Sequence, residues 1–272
     1  MRGSALAGAD TVCVALARAL VGSKRVFIGV NTPLGEAAAL LARRIAGTPQ
    51  TILIGAVSGV HSRTTTVSLF GGELENYGRG SAWPFEQVIL ALSRRGFDAE
   101  PVRPLQLDGQ GHLALSGIPN EQGWELLGPG PAGLDRLPYL TKKYLCYLTE
   151  HSTRVLVPRV GHADTPSIRE LSEEGGVQKL VVISPLAVIE ITAGDACLTQ
   201  IHPKVSVDTV LERTGFPMRV SIEDSPSFLP SVEETRLLNE VDPTGCRYLE
   251  FMPLEARHKA AEAIWRREMT TL

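Results

Sequence analysis

Short apolar runs alternate with amphipathic helical stretches along this chain, and few folds accommodate that order. Arg25-Val26-Phe27-Ile28-Gly29-Val30 has the length and composition of a buried strand, and Asn31-Thr32-Pro33-Leu34-Gly35 that of a tight turn. An Ala- and Leu-rich helix follows to Arg44, then a second apolar strand, Thr51-Ile52-Leu53-Ile54, which breaks at Gly55. Strands alternating with helices in this way imply a parallel sheet covered by helices. The expected fold is therefore α/β, an open, mainly parallel sheet with helices on both faces. No linker-like stretch interrupts the 272 residues, so a single domain over 1–272 is expected.

Other elements follow from the same signals. Asp10 is placed to cap a helix through about Val21, since Val12, Leu16, Ala19 and Leu20 recur at helical spacing and Gly22 can stop it. Ser62 to Ser81 is rich in Thr, Ser and Gly and reads as a long loop, followed by a helix from Glu86 to Arg95. Leu105 to Leu115 has the pattern of two strands joined by a Gly-rich turn. Leu127 to Gly133 is a second Gly/Pro loop, and Arg154-Val155-Leu156-Val157-Pro158 reads as a strand. Val177 to Ile183 and Ala187 to Thr192 look like paired strands around Ser184-Pro185. Short capped helices are expected from Asp208 to Gly215 and from Ser231 to Val241.

Composition removes several classes of function. Hydrophobic residues are 43% of the chain and charged ones 21%, enough apolar material for a packed core and too much for a disordered chain. The net charge is −3 and the basic residues are scattered; the dense pairs Arg43-Arg44 and Arg94-Arg95 sit at expected helix ends, where they complement the dipole. No nucleic-acid partner is expected. Cys13, Cys146, Cys197 and Cys246 are far apart with no CxxC spacing, which suggests neither a zinc site nor a disulfide framework. No basic segment precedes an apolar run at the start, and no stretch of ~18 apolar residues occurs, so neither secretion nor a membrane span is expected and the cytoplasm is the expected location. No GxGxxG or GxxxxGK[ST] fingerprint points to NAD or ATP.

A few residues can carry chemistry. The turn at Asn31 and Thr32 follows a strand and opens a helix, so its backbone N–H groups could hold an anionic or carbonyl oxygen, or Asn31 or Thr32 could simply cap the helix. His162, in Val160-Gly161-His162-Ala163-Asp164, follows a strand end, where α/β active sites collect. Ser58 has no adjacent base and reads first as a turn residue.

Taken in order, several strings resemble β subunits of the class I CoA-transferase superfamily, among them those of glutaconate CoA-transferase and of the steroid ring-opening CoA hydrolase. They are Val26-Phe27-Ile28-Gly29-Val30-Asn31-Thr32-Pro33-Leu34, Trp83-Pro84-Phe85, Gln106-Leu107-Asp108-Gly109-Gln110-Gly111, Asp208-Thr209-Val210-Leu211-Glu212-Arg213-Thr214-Gly215-Phe216 and Glu240-Val241-Asp242-Pro243. The resemblance implies that fold, an α-type partner subunit in a heterodimer or heterotetramer, and an acyl-CoA substrate; coenzyme A enters as part of that substrate, with no bound cofactor and no metal.

In the transferases the strand matching Thr51 to Ile54 ends in a Glu-Ser-Gly-type turn, whose ionised glutamate attacks the thioester. Here that turn reads Gly55-Ala56-Val57, and no acid occurs from Thr51 to Arg63. The resemblance keeps Gly55 and Ala56 beside the acyl-CoA and makes Gly128 and Gly130 part of a loop that helps to form an oxyanion hole, although Pro129 and Pro131 each remove an N–H. His61, just past the missing glutamate, and His162 are the candidate bases, with Ser58 as a candidate nucleophile. His112 takes the place of an asparagine in the family's middle motif and is read as structural. The reaction expected is hydrolysis, decarboxylation or C–C cleavage of a CoA-linked keto or unsaturated acid. The alternatives are a true CoA-transferase with its nucleophile elsewhere or on the partner, and a non-catalytic scaffold subunit.

Overall fold

A computed structural model of the chain describes residues 2–29, 31–47, 51–54, 59–61, 65–69, 81–82, 84, 86–87, 90, 93–94, 97–131, 133, 135–222 and 228–271; the side chains of 2–7, 51–54, 59–61, 81–82 and 271 are outside that description. The elements in chain order begin with α1 (Arg2–Leu20), β1 (Arg25–Ile28), α2 (Pro33–Ala46), β2 (Thr51–Ile54), β3 (Gly59–His61), β4 (Ser81–Ala82) and β5 (Ala99–Val102). Next come β6 (Gln106–Leu107), β7 (Leu113–Ala114), β8 (Gly117–Asn120), β9 (Gly123–Leu127), α3 (Leu137–Leu140), β10 (Lys143–Tyr147) and α4 (Ile168–Glu173). The last are β11 (Lys179–Ile183), β12 (Ala187–Thr192), β13 (Asp195–Ile201), α5 (Val207–Glu212), β14 (Arg219–Val220), α6 (Val232–Val241), a 3-10 helix (Cys246–Phe251) and α7 (Leu254–Thr271).

The chain divides into two compact units, Met1–Pro101 with Leu229–Leu272, and Val102–Phe228. The first unit holds the βαβ pattern foreseen from the apolar runs. β1 pairs in parallel with β2, Val26 opposite Ile52, and with β5, Val26 opposite Ala99. β3 and β4 continue antiparallel beyond β2. Val26 and Ile28 are buried, as are Leu34, Ala37, Ala38, Leu40 and Leu41 of α2. The alanines let α1 lie against α2. α2 stops where Gly47 takes φ 62° and gives its N–H to the Arg43 carbonyl, a left-handed end that glycine adopts without a Cβ penalty.

α1 begins at Arg2, not at Asp10. Asp10 lies inside that helix, and its carboxylate accepts the Arg247 Nε–H at 2.6 Å and the Tyr248 hydroxyl at 3.2 Å. The residue looked like a cap because short acids favour helix starts; in the fold it holds a cation from the far end of the chain. Arg247 itself is 2% exposed and also bonds Asp242 and Asn239. α6 starts where foreseen, with a reciprocal capping box between Ser231 and Glu234.

In the second unit β6 and β7 form the expected hairpin, β8 and β9 another, and β11 pairs antiparallel with β12 as foreseen. β10 lies parallel to β11, and β13 joins β12 antiparallel and β14 parallel. The α/β class is as expected, with parallel strands β5-β1-β2 and β10-β11 and antiparallel strands added around them. Arg154 to Pro158 is not a strand. Val155 and Leu156 both give their N–H groups to the Ser152 carbonyl, and Leu156 makes only an isolated bridge to Leu107. Its side chain is buried, so the apolar signal marked core rather than extended backbone. α5 is capped by Ser206, whose hydroxyl accepts the Thr209 N–H at 3.2 Å, two residues before the expected Asp208. The loop expected from Ser62 to Ser81 and the helix from Glu86 to Arg95 fall largely outside the described residues. No helix among the described residues is long and apolar enough to cross a membrane.

Candidate functional site

In the first unit the turn after β1 is built around Asn31, which takes φ 58° and is exposed. The next residue, Thr32, occupies the N-cap position of α2, yet its side chain makes no capping bond; its hydroxyl donates to the Gly29 carbonyl at 2.5 Å. Pro33 has no N–H, and the Leu34 N–H donates to Glu250 Oε1 at 2.9 Å. Glu36 N–H already bonds the Thr32 carbonyl. Neither an open anion site nor a simple side-chain cap describes this turn in full, because a carboxylate of the protein itself supplies the negative group at the helix start.

Gly55, Ala56 and Ser58 lie outside the described residues. His61 ends β3 opposite Ile52, and its side chain is not described. The glycine loop in the second unit is described. Gly128 gives its N–H to the Ser116 carbonyl at 2.8 Å and Gly130 gives its N–H to the Leu115 carbonyl at 3.3 Å. Both donors that an oxyanion hole would draw on are already engaged, and Pro129 and Pro131 add none. A Cβ at Gly128 would run into the Leu115 carbonyl oxygen, so glycine is needed there for a close backbone approach.

His162 is the best-defined basic group of the expected set. Its ring is 47% exposed, its Nε2 lies 3.4 Å from Asp164 Oδ1, and it meets the Trp124 ring edge-on with centroids 5.4 Å apart. Asp164 is fixed in turn by the Leu115 and Ser116 N–H groups, each at 2.6 Å, and by the Ser116 hydroxyl at 2.5 Å. Burial works against its ionisation, but these hydrogen bonds outweigh it and hold the carboxyl below the usual carboxylate range. A solvent-facing imidazole backed by an anchored carboxylate can accept a proton and keep the resulting charge paired.

His112 is tied down. Its Nδ1 lies 3.1 and 3.2 Å from the two oxygens of Asp108, and the same carboxylate accepts the Gln110, His112 and Val160 N–H groups. The hydrogen bond to Asp108 raises the imidazole above its ordinary value. That geometry agrees with a structural reading. Nothing in the local pattern warned of His151, which is buried between two hydroxyls, Nδ1 2.7 Å from Ser184 Oγ and Nε2 3.0 Å from Thr214 Oγ1. Burial pushes it down to about 4, so it is neutral at ordinary pH and one hydroxyl must turn its proton toward the ring. Its partners are 33 and 63 residues away, and no local spacing could have revealed them.

No family model matches the chain. The B-type component of 3-oxoadipate CoA-transferase from Pseudomonas knackmussii is 26% identical over 257 residues, which are 91% of this chain and 94% of that one. Among solved structures, the decarboxylase AibA/AibB matches with a TM-score of 0.77 at 26% identity, covering 88% of this chain and 96% of its own. Glutaconate coenzyme A-transferase from Acidaminococcus fermentans matches with a TM-score of 0.71 at 19% identity over 87% of this chain and 95% of its own, a likeness of fold. The fold is thus that of the CoA-transferases. In sequence the chain is similar to the B-type component of a class I CoA-transferase, and in fold to enzymes of that kind.

Proposed function

We propose that this chain is the β-type subunit of a heteromeric enzyme that, with an α-type partner, acts on a CoA-linked unsaturated or keto acid without passing CoA through a glutamate of its own. The observation that carries the proposal is the stretch from Thr51 to Arg63, which contains no acid. A transferase needs an ionised nucleophile whose adduct is as activated as the substrate, and neither Gly55 nor Ala56 offers one. Without it, the chemistry left to a thioester site is attack by water or cleavage of a bond conjugated with the carbonyl. Of these we favour decarboxylation, because the AibA/AibB likeness combines the higher TM-score with the higher identity. In glutaconyl-CoA, for example, the carboxylate sits on the carbon whose electrons the thioester can receive through the double bond. His162 and His61 are the candidate bases on this chain.

A second reading is favoured by the likeness to the 3-oxoadipate CoA-transferase component. On that reading the complex exchanges CoA between two acids with the nucleophile contributed from elsewhere. The purified chain, combined with its α-type partner and given glutaconyl-CoA, separates the two. Release of CO2 with no CoA adduct on this chain by mass spectrometry supports decarboxylation. A covalent CoA adduct here, or ping-pong exchange between two acids, overturns it.

A further inference from the structure

Glu100 stands apart from the other acids described in the first unit. It is the second residue of β5, it is 6% exposed, and its Oε2 has no hydrogen-bond partner among the described residues. Other buried carboxylates of that unit are engaged: Asp98 by the Lys24 and Arg25 N–H groups, Asp242 by Arg247, Glu250 by Leu34, Glu268 by Ser68. A carboxyl oxygen left unpaired inside a protein is costly and calls for an explanation, of which a catalytic role is one.

The strand geometry says which way it faces. Val26 is opposite Ala99 in the parallel β1–β5 pair, so one step on Phe27 stands beside Glu100, and the two share a face of the sheet. Pro101 points the other way, toward Gly35 of α2. Glu100 therefore lies on the face turned away from α2. Phe27 on that face is only half-buried, whereas Val26 and Ile28 on the α2 side are covered. Two residues beyond Phe27 the chain leaves β1 at Gly29, the end of the parallel strands at which open α/β sheets bind their ligands. Burial pushes the Glu100 carboxyl well above its ordinary value, which favours its protonated form.

We propose that Glu100 is the proton donor of the reaction, placed on the Phe27 face of the sheet just below the end of β1, where the acyl-CoA would bind. This rests on the decarboxylase reading. When CO2 leaves, the electron pair of the broken C–C bond passes into the thioester as a dienolate. The O–H bond of Glu100 then breaks, a C–H bond forms at the carbon that lost the carboxylate, and the glutamate takes its proton back from water. A neutral buried acid suits that step better than an ionised one, which would repel both the substrate carboxylate and the dienolate.

The test uses the assembled complex with glutaconyl-CoA. Glu100→Gln keeps the shape of the neutral carboxyl but cannot give up an acidic proton, and it should lower turnover by about 10²-fold or more. Glu100→Asp should recover part of that loss, with both variants eluting as intact complexes. Undiminished turnover by Glu100→Gln overturns the proposal and leaves the decarboxylase reading standing, as does a loss in both variants that follows loss of the complex. A wild-type complex that moves CoA between acids without releasing CO2 overturns both.

Discussion

The side chain of Glu250 accepts the backbone N–H of Leu34 at 2.9 Å, closing the first turn of α2 with a carboxylate from 216 residues further along the chain. The bond couples the helix that follows the candidate substrate turn to the C-terminal segment. It also explains why Thr32, in the N-cap position, can bond Gly29 instead. Replacing Glu250 by Ala leaves a buried N–H unpaired and should cost about 1–3 kcal/mol, measured by urea unfolding at neutral pH.

Arg247 is a buried cation of the same unit, bonded to Asp10 at 2.6 Å and to Asp242 at 2.9 Å. Arg247→Ala strands Asp242, which is 2% exposed, beside an empty guanidinium site. A loss of about 3–5 kcal/mol is expected in the same unfolding measurement. Asp10→Asn should cost less, since the amide oxygen can still accept from Arg247 and Asp10 is only partly buried.

His151 ties stability to acid. Its folded value is about 4 against an ordinary 6.5, so between those pH values the unfolded chain binds a proton that the folded chain refuses. Stability that is complete above pH 6.5 should therefore fall toward pH 4, by roughly 3 kcal/mol from this residue. His151→Gln should flatten that part of a plot of melting temperature against pH; an unchanged slope would show that another group is responsible.

His112 works in the opposite sense. The bond to Asp108 raises its folded value, so its contribution is complete below the ordinary imidazole value and is lost as pH rises through the raised one. His112→Asn should remove that alkaline loss without altering the acid limb assigned to His151. Denaturant titrations at several pH values on each side of neutrality would separate the two.

Gly128 and His162 separate support from chemistry in the second unit. Gly128→Ala forces a methyl onto the Leu115 carbonyl and should destabilise by about 1–3 kcal/mol or more. His162→Ala removes a half-exposed ring and should change the melting temperature little. If His162 is a base, that variant should lower turnover by about 10²-fold or more in the assembled complex; equal turnover would leave it as a surface residue paired to Asp164.

Much of the fold was legible because it is written in local pattern. β1, α2 and β2 come from apolar runs with a Pro and a Gly at the boundaries, and the Ser231 capping box marks the start of α6. The failures share one cause. Asp10 looks like a cap and Arg154 to Pro158 looks like a strand because both carry the right local chemistry. Arg247 for the first, and the Ser152 turn for the second, outweighed it. For the site, His162 was visible as a histidine after an apolar run, while its anchoring through Asp164 and Ser116 was not.

Residue identity and short-range spacing are enough for the family resemblance, for the parallel core around β1 and for the lack of an acid from Thr51 to Arg63. They are not enough for three other facts. The N–H groups of Gly128 and Gly130 are spent on Ser116 and Leu115, Glu250 occupies the start of α2, and Glu100 Oε2 is buried with no partner among the described residues. Folding settled these, because whether a polar group is satisfied depends on atoms brought together from distant parts of the chain, and no local pattern contains them.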